Sequence, residues 1–293
     1  MISPARDLRP ADALNIAFAS ALALTTIAFF PKIPAAPLLL CLYGALVALQ
    51  ILLVRIRGRS AAVRFVSDLV FPTASILIIF DSLERIVHHI NPRDIDALLI
   101  RLDYLIFGGH PTVLLERVHH PLLTDILQAA YASYYFLPVG LGVFLLAKKR
   151  RADFDRSLFL IMYCFYLSYV GYLLAPAIGP RFTMDHLQSV RLTGLVVAEP
   201  IQEILNRLEG IKRDAFPSGH TAIALTVLCL ARRYEKKLFL LFLPLVTLLI
   251  AATVYCRYHY AIDVFAGIAL ACAAVWTGDR IYDRWTERAG PRR

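Results

Sequence analysis

Residues 217–232 read Pro-Ser-Gly-His-Thr-Ala-Ile-Ala-Leu-Thr-Val-Leu-Cys-Leu-Ala-Arg, a small polar opening followed by an unbroken apolar run that stops at arginine. About forty residues later a second apolar run opens with His259 and Asp263 at helical spacing. The run between them, 238–257, is apolar almost throughout. Working outward, stretches of roughly 17–25 apolar residues, the length a bilayer demands, recur near 11–30, 35–54, 65–82, 122–146, 157–175, 217–232, 238–257 and 260–280. The chain is 58% hydrophobic with a mean hydropathy of +0.61, more apolar surface than a soluble chain of 293 residues buries. The expected fold is therefore all-α, a polytopic transmembrane helical bundle of about eight spans. The first run is too long for a secretory signal and lacks a small-residue cleavage pattern, so it reads as a retained span. The five cysteines lie in or at the ends of apolar runs, where a thiol behaves as a small hydrophobe, and imply neither a disulfide framework nor a zinc site.

Charge sets the expected orientation. Arg55, Arg57, Arg59 and Arg64 follow the second run, Lys148 to Arg151 and Arg156 the fourth, and Arg232, Arg233, Lys236 and Lys237 the sixth; Arg284, Arg288, Arg292 and Arg293 end the chain. Every second connection is thus basic, which places those loops and both termini in the cytoplasm and makes the protein a multi-pass component of the cell membrane. The net charge of +9 is accounted for by this pattern. No Lys/Arg stripe interleaved with aromatics speaks for nucleic acid.

Two connections on the opposite, extracytoplasmic side exceed turn length. In the first, Asn91 and Pro92 resemble an N-cap and first helical residue. Ile95, Leu98, Leu99, Leu102 and Ile106 share one helical face, opposite Arg93, Asp94, Asp96, Arg101 and Asp103, before Gly108-Gly109 ends the run. That pattern predicts a helix lying in the membrane interface, with a second short one over 111–118. The pairs His88-His89 and His119-His120 read as interfacial or capping histidines, because adjacent side chains on a helix do not converge on a metal. The second connection, about 177–215, carries Gly179-Pro180-Arg181 and leads into Pro217.

Pro217 suits a first helical turn and Gly219 permits close backbone approach, so the exposed N–H groups and the positive end of the helix dipole form an anion site beside Ser218 and His220. Asp263, one turn from His259, is placed to accept its ring N–H, leaving the other nitrogen free to attack. Arg181 and Arg257 add guanidinium groups suited to phosphate oxygens. An ionisable pair beside a membrane span is costly unless paired or functional.

These residues resemble the motifs of the type 2 phosphatidic acid phosphatase superfamily, helical enzymes related in fold to vanadium haloperoxidases: Lys-x6-Arg-Pro, Pro-Ser-Gly-His and Ser-Arg-x5-His-x3-Asp. Pro217 to His220 match the second in full, and His259 with Asp263 the end of the third. The resemblance implies that His259 is the nucleophile forming a phosphohistidine, that Asp263 orients it, that His220 protonates the leaving oxygen, and that Arg181 is the first motif's arginine. It covers roughly the last six spans, giving a catalytic bundle over 61–283, two added spans over 1–60 and a basic tail over 284–293.

The departures are specific. Leu174 stands at the first motif's lysine and Phe182 follows Arg181; Ala252 and Thr253 occupy the Ser-Arg positions, while an arginine appears at Arg257. Gly179-Pro180-Arg181 and Arg257-Tyr258-His259-Tyr260 are similar to the inositol phosphorylceramide synthase subgroup, which transfers a headgroup to a second alcohol. The expected activity is cleavage of a lipid phosphate ester or anhydride, with transfer to an alcohol or polyol acceptor as the alternative and a lipid or ion transporter as the reading from another class. Ser218, Gly219, Arg181 and Arg257 are the expected phosphate contacts, with Lys212 and Arg213 as further cations. Arginines supply the positive charge here, so neither a metal nor another cofactor is expected. The expected partners are the lipid phosphate and the bilayer.

Overall fold

The computed structural model of the protein describes residues 8–208 and 213–289. Among the described residues every regular element is helical, and the longer ones are α1 (Pro10–Ala28), α2 (Ala36–Ile56), α3 (Ala61–Leu83), α4 (Asp96–Phe107), α5 (Pro121–Ala132), α6 (Leu137–Ala147), α7 (Arg151–Leu174), α8 (Ala198–Leu208), α9 (Gly219–Tyr234), α10 (Lys236–Tyr255) and α11 (Ala261–Ala289). Six of these, α1, α2, α3, α7, α10 and α11, are long and apolar enough to cross a membrane. Two bent pairs raise the number to as many as eight: α4 with the Pro111–Val118 segment, at 59°, and Pro121–Tyr135 with α6, at 53°. The second bend breaks the predicted 122–146 span where Ser133–Tyr135 tightens into a 3-10 turn and Pro138 opens α6, the usual causes of a sharp kink.

α9 is too short to span alone, about 24 Å for 16 residues. It is enclosed by α6, α7, α10 and α11, and Ala222, Ile223, Ala224, Val227, Leu230 and Ala231 are fully buried along it. The run beginning at Pro217 is therefore the centre of the bundle. Outward, Leu24, Leu241 and Trp276 are exposed, the pattern of helices solvated by hydrocarbon.

The basic connections share one end of the molecule. Arg9 and Arg57 both bind Asp12, Arg9 and Arg151 both bind Asp68, and Arg156 and Arg233 both bind Asp279. Above this charged end, Asn15 of α1 donates to Gln50 of α2 at 2.8 Å and to Ser75 of α3 at 3.3 Å, and Tyr166 of α7 donates to Asn15. These polar contacts tie α1 and α2 to the rest of the bundle.

The first long connection differs from its sequence reading. α4 begins at Asp96, not Pro92, while Asn91 donates its side-chain amide to the Leu174 carbonyl at 3.0 Å. Its predicted face is only partly the buried one: Leu99 is buried and Arg93 and Arg101 are exposed as expected, but Leu98 and Ile106 are exposed, and Asp96 and Asp103 are buried. Gly108 ends it in the left-handed region, at φ 68°. The strongest amphipathic pattern lies instead in α8, whose Leu205 is buried with Leu127 and Tyr131 while Ile204 faces outward. The expected histidine cap is present: His120 Nδ1 accepts the Leu122 N–H at 3.2 Å, at the start of α5.

Candidate active site

His259 lies in the short 256–260 connection between α10 and α11, at the end of the bundle opposite the basic loops. The turn is held by the His259 N–H, which donates to the Thr253 carbonyl at 2.9 Å. Its ring is fixed from two sides. Nδ1 lies 2.8 Å from the Ala215 carbonyl oxygen, and 3.6 Å from Asp263 Oδ2. A carbonyl oxygen only accepts, so Nδ1 carries the proton and Nε2 presents its lone pair. Asp263 makes its shortest side-chain contact elsewhere, accepting the Tyr260 N–H at 2.8 Å. The carboxylate is thus a counter-charge beside the ring, and the closer tautomer-setting contact is a backbone carbonyl, a partner the sequence reading did not identify.

His220, on the first turn of α9, faces the same nitrogen: its Nδ1 is 3.3 Å from His259 Nε2. Tyr131 stacks on the His220 ring at 4.4 Å between centroids and Tyr134 lies at 4.2 Å. Tyr131 in turn stacks on Tyr258, whose hydroxyl accepts from Gln128 at 2.8 Å. The Arg181 guanidinium sits over the Tyr258 ring at 5.9 Å. Arg181, Tyr258, Tyr131, His220 and His259 therefore form one continuous cluster, although they come from four separate parts of the chain.

Ser218 caps α9, as its residue type predicts. Its hydroxyl accepts the Thr221 N–H at 3.2 Å and donates to Thr221 Oγ1 at 3.1 Å, so its side chain is engaged in the cap. The helix starts at Gly219, with Pro217 just outside it. Gly219 is required by a neighbour: a Cβ there would lie 2.3 Å from the Tyr172 hydroxyl oxygen. Gly179, at φ 98°, has the Tyr258 carbonyl oxygen 2.9 Å from the same hypothetical position.

The two α4 carboxylates organise the loops of this site. Asp96 accepts the N–H groups of Ile178 and Gly179 and the hydroxyl of Tyr260, at 2.8 to 3.1 Å, linking the Arg181 loop to the residue after His259. Asp103 accepts from Ala261 and Ile262 at 2.9 and 2.8 Å, the first N–H groups of α11. On α5, Asp125 receives the backbone N–H groups of Leu195, Val196, Val197 and Ala198 at the start of α8.

Of the remaining expected cations, Arg257 is buried at φ 65° and donates through Nη2 to Glu116 and to the Val190 carbonyl, both at 2.7 Å. Its Nε is buried without a hydrogen-bond partner among the described residues, and so is His220 Nε2. Buried polar groups are ordinarily satisfied, so both atoms mark where ligand oxygens or water would bind. Arg213 is engaged with Asp94 at 2.8 Å. Lys212 lies outside the described residues. Burial pushes the Asp214 carboxyl up to about 6, opposed by the charge of His259. Burial also disfavours protonated His259, but contact with Asp263, its charge and that of Asp214 hold the imidazole above the usual histidine value.

The arrangement pairs an imidazole nitrogen of fixed tautomer, its lone pair available, with a second imidazole within reach of the same atom. His220 sits at the N-terminal end of α9, and Arg181 joins the pair through Tyr258 and Tyr131. Sequence reasoning did not find Tyr131, Tyr134, Asp96, Asp103 or Glu116. The only signal for the tyrosines was their density, with Tyr131, Tyr134 and Tyr135 close together opposite Tyr166, Tyr169 and Tyr172.

The family model described as the PAP2 superfamily matches residues 97–277, from α4 into α11. No curated protein and no solved structure matches the chain.

Proposed function

The chain belongs to the PAP2 superfamily, whose members are generally phosphatases, and on that premise we propose that it is a membrane-embedded lipid phosphatase acting through a phosphohistidine on His259. The observation that carries this reading is the hydrogen bond from His259 Nδ1 to Ala215, which leaves Nε2 as a nucleophile 3.3 Å from His220. Nε2 attacks phosphorus, forming the P–N bond as the ester or anhydride P–O bond breaks. His220, protonated, gives its proton to the departing oxygen. Neutral His220 then takes a proton from water as its oxygen attacks phosphorus, the P–N bond breaks, and phosphate leaves.

Asp263 offsets the positive charge that His259 acquires. Arg181, the free Nε of Arg257 and the N-terminal end of α9 face the phosphoryl oxygens as their charge redistributes. These groups supply the cationic environment, and no step in this mechanism uses a metal. By the positive-inside rule, the shared basic end faces the cytoplasm and the site opens to the extracytoplasmic leaflet of the cell membrane.

Arg257 favours a second reading, as it stands two residues before His259 where the general motif has no arginine. In that reading the same phosphohistidine is captured by an alcohol or polyol hydroxyl. Incubating purified protein with lipid phosphates and prenyl diphosphates, with and without alcohol acceptors, separates the two. Inorganic phosphate released from lipid alone supports hydrolysis; product that forms only with an acceptor supports transfer, and no turnover of any lipid overturns both.

A further inference from the structure

A cavity of about 410 Å³ reaches the end of the bundle that holds the histidines, where His220, Asp214 and Tyr172 line it. It continues between α3, α6 and α7. Leu69, Thr73 and Ile76 form its α3 wall, Gly142 belongs to α6, and Leu158 and Phe165 lie on α7. The far end carries Asp68 and Ser157, beside the Arg9 and Arg151 ion pairs that mark the basic end of the molecule. The direction follows from two contacts. Tyr172 reaches Gly219 at the active site, and Asp68 meets Arg151 at the opposite end of α7.

The dimensions limit what fits. Along α3 the lining runs from Asp68 to Phe80, about 18 Å at the helical rise, and along α7 from Phe154 to Tyr172, about 27 Å. The cavity's 410 Å³ is distributed along this length, an elongated passage of the shape an extended hydrocarbon chain takes. The walls are apolar side chains over most of this length, and polar groups gather at its two ends: His220 and Asp214 at one, Ser157 and Asp68 at the other, where Asp68 is already held by Arg9 and Arg151. Gly142 keeps the passage open: a Cβ there would stand 3.2 Å from the Phe154 ring and 3.3 Å from Leu69.

We propose that this cavity holds one hydrocarbon chain of the lipid phosphate, with the phosphate at His220 and His259 and the chain running down α7 toward Asp68. The assignment rests on the lipid-phosphatase reading for its headgroup chemistry, and adds that the cavity measures chain length. A chain that fills it stops at buried ion pairs, where further methylenes would have to displace charge or bend out into the bilayer.

The direct test uses the full-length protein in lipid nanodiscs and hexadecyl phosphate carrying a diazirine at the chain terminus. Photolysis followed by peptide mapping is expected to label the Ser157 to Met162 stretch. Label confined to outward positions such as Val143 and Val170 overturns the proposal. The functional test compares turnover of hexadecyl and butyl phosphate by a Leu158→Trp variant, whose indole fills the far part of the cavity. The hexadecyl-to-butyl ratio of kcat/KM is expected to fall at least about tenfold, the scale of a lost hydrophobic anchor; an unchanged ratio overturns the proposal. If Leu158→Trp does not fold, Thr73→Trp blocks the same passage from α3 and is read in the same way. Labelling needs no turnover. Label at Leu158 without phosphate release from any substrate keeps the chain site and retires the phosphatase reading, whereas release with label elsewhere does the reverse.

Discussion

Gly219→Ala separates two explanations for the glycine of the Pro217–His220 motif. The added Cβ would lie 2.3 Å from the Tyr172 hydroxyl oxygen, well inside the 3.0 Å that real Cβ contacts essentially never breach. Overpacking of this kind costs about 1–3 kcal/mol, while alanine's better helix propensity returns up to about 1 kcal/mol. The variant should lose about 1–2 kcal/mol, a fall of a few degrees in midpoint on thermal unfolding in detergent micelles, and its phosphate release should drop as His220 shifts. Removing the hydroxyl as well should undo this. In Gly219→Ala/Tyr172→Phe the nearest atoms become the ring Cζ at 3.6 Å and Ser168 Cβ at 3.8 Å, both ordinary contacts. Relative to Tyr172→Phe alone, alanine should then be neutral or slightly stabilising, a coupling of about 1–3 kcal/mol in the double-mutant cycle. An alanine that damages turnover equally in both backgrounds refutes the steric account and returns Gly219 to direct contact with the phosphoryl group.

Three other outcomes are expected. Asp96→Ala strips the acceptor from the amides of Ile178 and Gly179 and from the Tyr260 hydroxyl, and should cost about 2–6 kcal/mol at roughly 1–3 kcal/mol per orphaned amide; an unchanged unfolding midpoint would contradict that role. Arg257→Ala should lose about 2–4 kcal/mol of transition-state stabilisation, whereas Glu116→Gln should retain more turnover, and equal losses in kcat/KM would make Arg257 only an anchor for the 189–190 loop. Because His259 must be neutral to attack and its pKa is held above the usual value, kcat/KM should rise with pH through a limb above about 6.5. Asp214→Asn removes a nearby negative charge, so that limb should move to lower pH, and a pH–rate profile showing an upward shift would refute the electrostatic assignment.

His220 and His259 stood out in the sequence because their signals are local. Ser218 before an apolar run predicts a capped helix wherever that helix lies; Asp263 does lie beside His259, at 3.6 Å, but across the turn that opens α11, since His259 precedes the first helical residue. Span lengths and alternating basic loops are likewise properties of contiguous sequence, and the family motifs occupy short windows. α4 shows what this reasoning cannot reach. Its alternation of leucines with Asp96 and Asp103 is a true amphipathic pattern, but in a chain with hydrocarbon on one side and a polar bundle interior on the other, amphipathicity carries no sign. Packing against the Arg181 loop and the start of α11 decided it, turning both carboxylates inward onto backbone N–H groups and Leu98 and Ile106 outward while Leu99 stays buried. Tyr131 and Tyr134 became neighbours of His220 for the same reason, because the bend between α5 and α6 sets the direction in which they point. The sequence by itself determined the helical class, the family motifs and the Ser218 cap, since these depend on interactions within a few residues. Only the tertiary structure decided that the Ala215 carbonyl makes the nearer contact to His259 Nδ1, that Asp96 and Asp103 hold the site together, and that Gly219 makes room for Tyr172. Each of those contacts joins residues from distant parts of the chain, and helix packing alone sets their distances.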